Sequence, residues 1–207
     1  MRVAGYVDGF NLYYGLLKGR RGVKWLDVVR LVEFFAHGRK AVFVRYFTAP
    51  VRSPPWDPGK SSRQQTYLRA LVASYPGRVF VEQGIFLQYK ARRPSVSTGK
   101  LIEVIESQEK GSDVNLATRL ILDSFDDRFD IAIIVSNDSD LVVPVKEVRQ
   151  RFGKQIWVVS PQRQVSQQLR QHADRYLQLR ASHVKKCQLP DPVRTPDGRT
   201  VYKPRDW

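Results

Sequence analysis

Residues 130–140 read Asp-Ile-Ala-Ile-Ile-Val-Ser-Asn-Asp-Ser-Asp. The residues from Ile131 to Val135 are all apolar, which is typical of a strand covered on both faces of a parallel sheet. Asp138 and Asp140 follow soon after this run ends. Ligands of open parallel sheets bind beyond the carboxyl ends of the strands. This stretch therefore predicts a buried parallel strand that ends at the functional edge of the sheet.

Strand-like and helix-like segments alternate along the rest of the chain. Strands are predicted at residues 2–7, 41–48, 78–87, 130–136 and 155–160. Apolar residues three and four apart predict the helices between them, and a last helix through Leu169, Ala173, Tyr176 and Leu177. This alternation favours βαβ crossovers. We therefore expect an α/β fold, a doubly wound, mostly parallel five-stranded sheet with helices on both faces.

One domain is expected to fill most of the 207 residues, over residues 1–182. The Pro-rich basic C-terminal tail, residues 183–207, is expected to be an arm over the surface or a disordered end. Residues 49–59 and 90–100 contain prolines together with glycine or basic residues. This composition predicts two loops. A solvated acidic face is expected around the helix-to-strand turn at Asp123, Asp126, Asp127 and Asp130.

Four aspartates are expected to meet at the functional edge of the sheet. Asp8 ends the first strand, Asp113 begins a helix, and Asp138 and Asp140 follow the fourth strand. Each of them taken alone is explained equally well as a helix cap or a helix-dipole contact. Together they repel one another unless a cation neutralises them, and oxygen ligands select Mg²⁺ or Mn²⁺. The cluster favours a divalent metal site.

Three motifs of the chain are similar to those of a known family. They are residues 6–11 (YVDGFN), 109–114 (EKGSDV) and 135–140 (VSNDSD). They resemble the motifs of the NYN domain, a family of the PIN-like nucleases, and the resemblance covers about residues 1–180 in the right order. It implies a PIN-like doubly wound sheet and, where family members are active, ribonuclease activity.

The resemblance also implies roles for individual residues. Asp8, Asp113 and Asp138 would form the Mg²⁺ or Mn²⁺ site, with Asp140 assisting. Asn11 would position a ligand or water, Lys110 would help to bind phosphate, and we count Ser136 and Asn137 of the third motif among the nucleic-acid-binding residues. The chain departs from the family at Arg119, where many relatives carry another Asp, and this lowers the acidity of the site. It also has Ser-Asn-Asp at residues 136–138 instead of the usual Ser-Gly-Asp.

The net charge of +15 is concentrated in one half of the chain. Residues 1–100 contain 18 Lys and Arg against 5 Asp and Glu, whereas residues 101–207 contain 17 against 15. A basic half of this kind is typical of a protein that binds a phosphate backbone. The alternative is charge that serves solubility alone. Charge therefore favours nucleic acid as the partner.

Basic residues interleave with aromatic residues in the two predicted loops, which suits single-stranded RNA because bases stack on rings while phosphates pair with cations. The alternative is ordinary solvated charge. We expect Trp25, which also has basic neighbours, to pack in the core. The residues predicted to bind the RNA backbone in these loops are Arg52, Lys60, Arg63, Lys90, Arg92 and Arg93.

The sequence thus predicts a metal-dependent endoribonuclease in which a metal-activated water attacks an RNA phosphodiester. The alternative is a non-catalytic RNA-binding or regulatory protein that retains the nuclease fold. The single Cys187, the lack of a recognisable secretory signal and the lack of a long apolar run predict a cytoplasmic protein without a membrane span. An oligomeric partner is compatible with the sequence, which leaves the oligomeric state open.

Overall fold

The computed structural model describes residues 1–205 and 207, apart from the side chain of Ser107. Strands and helices alternate along the chain as the apolar patterns predict. The strands are β1 (Val3–Asp8), β2 (Ala41–Thr48), β3 (Val79–Gln83), β4 (Ile85–Pro94), β5 (Leu101–Lys110), β6 (Ile131–Val135), β7 (Gln155–Ser160), β8 (Arg175–Gln178), β9 (Val193–Arg194) and β10 (Thr200–Val201). The helices are α1 (Gly9–Leu12), α2 (Val28–Phe35), α3 (Lys60–Ser74), α4 (Ser112–Phe125), α5 (Val142–Phe152), α6 (Gln167–His172) and α7 (Ala181–Lys186), with a π-helical turn at Tyr13–Leu17 and a 3₁₀ turn at Ser139–Leu141.

The central sheet is parallel and has the strand order β3-β2-β1-β6-β7-β8. The chain runs outwards from β1 on one side and returns to β6 on the other, so β1 and β6 are neighbours at the topological switch point. Crevices for ligands open at such a point, beyond the carboxyl ends of the strands. The α/β, doubly wound prediction is confirmed, with six strands in the sheet where five were expected.

The additional strand is β8, which the sequence pattern assigned to a helix. Helix α6 ends at His172, and Tyr176 and Leu177 lie in β8, paired with β7. Leu169, Ala173, Tyr176 and Leu177 satisfy a helical spacing, but a short strand after a short helix places apolar residues at the same intervals. The prediction of one continuous helix was wrong because periodicity over so few residues does not distinguish the two.

A β-hairpin replaces two other predicted features. The strand expected at residues 78–87 divides at Gly84 into β3, which belongs to the sheet, and β4, which pairs with β5 in a separate antiparallel ribbon. Of the loop expected at residues 90–100, residues 90–94 belong to β4 and residues 95–100 form the hairpin tip, where the Ser95 N–H donates to the Lys100 carbonyl oxygen. The prediction of a loop was wrong for residues 90–94, where backbone pairing with β5 outweighs the local proline and basic residues.

Buried apolar side chains form a core on each face of the sheet. One core includes Val32 of α2 and Leu71 of α3, and the other includes Leu116 of α4 and Val145 of α5. Helix α2 approaches β1 so closely that a Cβ on Gly5 would lie 2.6 Å from Val32 Cγ2. This close packing fixes β1, and with it the residue that follows, relative to the rest of the sheet.

The C-terminal tail packs on the domain instead of lying free. Leu189, Val193 and Val201 are buried in the same core as α2 and α3. The buried Trp25 donates its indole N–H to Pro190 O at 2.9 Å, so Trp25 lies in the core as predicted. The rings of Trp207 and Tyr67 lie 5.6 Å apart. The described helices include no segment long and apolar enough to cross a membrane.

One of the aspartates expected on a solvated acidic face is buried. Asp123 is 2% exposed and accepts hydrogen bonds from Arg45 Nε at 2.7 Å and Tyr6 Oη at 2.8 Å. Arg128 also binds its carboxylate. The expectation was therefore wrong for Asp123, because two of its partners, Tyr6 on β1 and Arg45 on β2, are distant in the sequence.

Candidate functional site

Asp8 lies at the switch point between β1 and β6, with both carboxylate oxygens engaged. Oδ1 accepts the backbone N–H of Asn11 at 2.9 Å, and Oδ2 accepts the hydroxyl of Ser136 at 2.9 Å. Asp8 as a whole is only 3% exposed. Burial, together with the charges of Asp113 and Asp138, raises the pKa of Asp8 to about 7, although these two hydrogen bonds act to lower it. Asp8 is therefore a carboxylate whose charge is costly without a nearby cation.

Asp138 is held in place by the turn that follows β6. Its Oδ1 accepts the backbone N–H of Asp140 at 2.9 Å, and its own N–H donates to Ser136 Oγ at 3.1 Å. Ser136 is fully buried and thus contacts both Asp8 and Asp138. The prediction that Ser136 binds nucleic acid does not agree with this burial, because Ser136 positions the two acids instead.

Asn11 and Asn137 join the two loops that carry the acids. Asn11 Oδ1 accepts the backbone N–H of Asn137 at 3.0 Å. The Asn137 side chain donates to Gln164 O and accepts from Tyr176 Oη and the Ser166 N–H. Both atoms of the Asn137 amide are therefore occupied within the protein, which leaves its predicted contact with nucleic acid without a free group.

Asp113 approaches from the first turn of α4. The preceding Gly111 has φ of 98°, a left-handed conformation that favours glycine. Burial, together with the charges of Asp138, Glu109 and Asp140, raises the pKa of Asp113 to about 6. Its carboxylate forms no hydrogen bond to the described residues. Asp8, Asp113, Asp138 and Asp140 therefore lie close enough for their charges to raise the pKa of Asp8 and Asp113, and we call these four residues the acidic site.

Glu109 also lies near the acidic site, and the sequence analysis did not identify it. Its Oε1 accepts the backbone N–H of Ser112 at 3.0 Å, at the start of α4. Gly84 lies against it, since a Cβ there would be 2.6 Å from Glu109 Oε1 and from Lys110 O. The sequence does contain a feature that could have identified Glu109, because it is part of the second motif and lies four residues before Asp113.

The capping alternative is correct for two of the four aspartates. Asp8 caps α1, and Asp138 caps the 3₁₀ turn, each through one carboxylate oxygen. Asp113 and Asp140 form no such cap. Capping therefore explains how Asp8 and Asp138 are held, but it does not explain why Asp113 is brought close to them.

The donor set suits a hard, partly hydrated cation. Among the described residues, no three acidic, histidine or cysteine side chains are close enough to hold one ion together. Mg²⁺ usually takes only one or two protein carboxylates and completes its shell with water and substrate phosphate. Ser112 Oγ is buried beside Asp113 without a hydrogen-bond partner in the described protein, which leaves a polar atom available to an ordered water. On these grounds the residues present fit Mg²⁺ or Mn²⁺.

Several predicted RNA-binding arginines are engaged in intramolecular ion pairs. Arg63 binds Asp57 at 2.6 Å, Arg93 binds Glu106 at 2.5 Å, and Arg92 lies 3.7 Å from Glu103. Arg52 Nη1 donates to Gln88 Oε1 at 3.4 Å. The lysines differ: among the ion pairs of the described chain, none involves Lys60, Lys90 or Lys110.

Arg119, the residue at which the chain departs from the family pattern, forms an ion pair with Glu82. Its Nε lies 3.2 Å from Glu82 Oε1 on β3, and Glu82 also binds Arg45. Arg119 therefore belongs to an ion-pair network at the β3 edge of the sheet.

A cavity of about 140 Å³ opens beside the acidic site, and sequence reasoning did not predict it. Gly9 and Phe10, the two residues after Asp8, form part of its wall. The Phe10 ring is nearly parallel to those of Tyr14 and Phe86, with centroids 6.4 and 6.5 Å away. Aromatic rings thus line the surface between the acidic site and the hairpin.

Comparison with family models matches residues 2–180 to the NYN domain. The chain belongs to the NYN domain family. This family of PIN-like nucleases is the one that the three motifs resembled, so the resemblance is confirmed over the length expected. The acidic site of this NYN domain lies at the switch point of its sheet, on the loops that carry the three motifs.

Two individual proteins are similar to this NYN domain protein. A 6-hydroxy-3-succinoylpyridine 3-monooxygenase from Pseudomonas putida is 28% identical over 238 aligned positions, which cover 100% of this chain and 75% of that protein. A solved structure of a protein of unknown function from Vibrio parahaemolyticus has a TM-score of 0.55 and 22% identity, covering 91% of this chain and 96% of the other. The second likeness supports the fold.

Proposed function

We propose that this protein is a Mg²⁺- or Mn²⁺-dependent endoribonuclease that hydrolyses RNA phosphodiester bonds. The observation that carries the proposal is the convergence of Asp8, Asp113 and Asp138 at the switch point, where the pKa values of Asp8 and Asp113 rise to about 7 and 6. Carboxylates placed so that they repel one another are suited to hold a cation. Membership of the NYN family, within the PIN-like nucleases, supports a hydrolytic role.

Each acidic residue has a defined task in this proposal. One or two of Asp8, Asp113 and Asp138 would bind the metal directly, the others would bind it through its water shell, and Asp140 would orient a water for in-line attack. When bound, the divalent cation would neutralise the acids and stabilise the charge that develops on the phosphate. Ser136 and the Asn11 N–H fix the Asp8 carboxylate, so its orientation is set before RNA binds.

Hydrolysis requires that the RNA backbone be brought to the acidic site against its negative charge. The oxygen of water forms a bond to phosphorus while the bond to one ribose oxygen breaks, and that oxygen leaves with a proton. Lys60, Lys90 and Lys110, which form no ion pair in the described chain, would bind neighbouring phosphates. Exposed Trp56 and Tyr89 offer ring faces to the bases of a single strand.

A non-catalytic RNA-binding or regulatory protein is the second candidate. The observation that favours it is the absence, among the described residues, of three acids close enough to bind one ion together. Such a protein would keep the fold and the basic surface, and it would bind RNA without cutting it. The two candidates differ in whether removal of a single acid changes cleavage.

A cleavage assay with labelled single-stranded RNA and Mn²⁺ separates the two candidates. We expect cleavage by the wild type, inhibition by EDTA, and a loss of at least 100-fold in Asp138→Asn. Asp126→Asn is the matched control, because Asp126 is exposed at the opposite end of α4 from Asp113 and its replacement removes the same charge. Equal cleavage by Asp138→Asn and wild type would contradict the proposal, and absence of cleavage with intact RNA binding would favour the second candidate.

A further inference from the structure

The cavity beside the acidic site has the size of a single six-membered ring. Its volume is about 140 Å³, and a cavity of about 150 Å³ in another protein accommodates one benzene molecule. The rings of Phe10, Tyr13, Tyr46 and Tyr67 contribute to its wall. A single pyrimidine ring fills a space of this size, whereas a fused purine ring system would extend beyond it. The volume therefore favours a single aromatic ring over a double one.

A hydroxyl group in the wall of the cavity lacks a partner. Tyr46 is 7% exposed, and its hydroxyl forms no hydrogen bond to the described residues. Burial, together with the charge of Asp8, raises the pKa of the Tyr46 phenol, so the hydroxyl remains neutral and can donate or accept. A Cβ on Gly9 would lie 2.8 Å from this oxygen, so glycine keeps the space next to it open.

The charges around the cavity favour an anionic ligand. Lys24 and Lys60 line it, are partly buried, and form no ion pair to the described chain. The one acid in its wall, Asp57, is bound by Arg63 Nη2 at 2.6 and 2.7 Å and so does not neutralise these lysines. An aromatic ring alone would leave both ammonium groups unpaired. A ring that carries a phosphate would pair with them.

We propose that this cavity binds the base of a pyrimidine nucleotide. The ring would stack among the aromatic side chains, a ring carbonyl or nitrogen would bond to the Tyr46 hydroxyl, and Lys24 and Lys60 would bind the phosphates on either side. The proposal rests on the proposed ribonuclease function, because Gly9 and Phe10 connect the cavity directly to Asp8. It predicts that a pyrimidine lies next to the phosphodiester that is cut.

Direct binding tests the subsite without any need for cleavage. The affinities of CMP, UMP, AMP and GMP for the full chain in EDTA can be measured by isothermal titration calorimetry. CMP or UMP should bind at least tenfold more tightly than either purine nucleotide. Ribose 5-phosphate should bind at least tenfold more weakly than the preferred pyrimidine nucleotide. Equal affinity for all five ligands would mean that only phosphate is recognised and would overturn the proposal. Tighter binding of 6-hydroxypyridine-3-carboxylate than of CMP and UMP would also overturn it, in favour of a pyridine ligand.

Substitutions in the cavity test whether binding occurs there. Tyr46→Phe removes only the hydroxyl and should weaken the preferred pyrimidine nucleotide about tenfold while leaving the melting temperature nearly unchanged. Val51→Trp, on the loop that lines the cavity, should fill it and abolish binding. The control is Val42→Trp, which makes the same change at an exposed position at the other end of β2. Wild-type binding by both cavity variants would contradict the proposal.

The outcomes separate this subsite from the nuclease itself. Binding of CMP or UMP that depends on Tyr46 and Val51, without RNA cleavage, would support the subsite and contradict the ribonuclease proposal. Cleavage of RNA regardless of base, with no pyrimidine binding in the cavity, would support the ribonuclease and overturn the subsite. With both intact, an RNA of purines that contains one pyrimidine should be cut at that residue, and Val51→Trp should remove this preference.

Discussion

The charged form of the Asp8 carboxylate is disfavoured by its surroundings in the folded protein. Its folded pKa of about 7 lies above the value of about 3.9 expected in the unfolded chain. Between these two values the folded protein binds more protons than the unfolded chain, so the metal-free protein should lose stability as the pH rises through this range. Above about pH 7 the loss should level off.

Asp8→Asn should therefore stabilise the protein in EDTA at pH 8. The asparagine keeps an acceptor for the Asn11 N–H and removes the buried charge, while its amide changes the bond to Ser136. We expect a gain of about 1–2 kcal/mol, or roughly 2–8 °C in melting temperature for a chain of this size. Thermal unfolding from pH 5 to 8 measures it. A melting temperature of Asp8→Asn below that of the wild type at pH 8 would contradict the assigned pKa shift.

Metal should reverse the order of stability of these two proteins. Because a cation neutralises the acidic site only in the folded state, millimolar Mg²⁺ or Mn²⁺ should raise the melting temperature of the wild type at pH 8. The rise should be smaller in Asp8→Asn and Asp138→Asn, and unchanged in the control Asp126→Asn. The same rise in all four proteins would show that the ion binds elsewhere.

The buried acid Asp123 ties α4 to the strands of the central sheet. Arg45 on β2 binds Asp123 and Glu82, and Tyr6 on β1 donates to Asp123. Hydrogen bonds from Arg45 and Tyr6, with the charge of Arg45, lower the pKa of Asp123 in spite of its burial. Such a group stabilises the fold above its unfolded pKa, and this contribution is lost as the pH falls through its folded pKa.

Asp123→Asn should destabilise the protein by about 3 kcal/mol, because it leaves the buried Arg45 guanidinium with one carboxylate partner fewer. Chemical denaturation at pH 7 measures the loss, and the difference from the wild type should shrink below pH 4. Asp126→Asn, at the exposed end of the same helix, should change stability by less than about 0.5 kcal/mol. Equal stability of Asp123→Asn and wild type would mean that the network contributes nothing.

The junction between the sheet and the hairpin depends on Gly84. A Cβ at this position would lie 2.6 Å from the Lys110 carbonyl oxygen and 3.1 Å from the Ser112 nitrogen, both of which are backbone atoms that cannot rotate away. Gly84→Ala should therefore displace the start of α4 together with Asp113. We expect a smaller metal-induced rise in melting temperature and slower cleavage, while far-ultraviolet circular dichroism stays as in the wild type. An unchanged metal response would show that Asp113 does not depend on this junction.

The net charge of +15 should make RNA binding strongly dependent on salt. On a logarithmic plot of affinity against salt concentration, each lost phosphate contact with a single strand should flatten the slope by about 0.7. Lys90→Ala should have this effect, whereas Arg93→Ala, on the same strand, should have less because Glu106 binds its guanidinium. Fluorescence anisotropy in EDTA measures both slopes. An equal or larger effect of Arg93→Ala would mean that RNA displaces this ion pair.

The sequence by itself determined the fold class and the four acids of the candidate site. Ile131–Val135 is a continuous apolar run, and short acidic motifs follow the strands, so local pattern was enough to place Asp8 and Asp138 at one edge of a parallel sheet. Tertiary structure decided what depends on contacts between distant residues: the pairing of β8 with β7, the burial of Asp123 by Arg45, and the ion pairs that occupy Arg63 and Arg93. The cavity next to Asp8 arises in the same way, since its wall includes residues of α1, β2 and α3 together with Trp207. The periodicity of apolar residues indicates which side of one helix or strand is buried. It does not indicate which helices and strands pack against one another, because that depends on tertiary packing. The ion pairs form only between residues that this packing brings together.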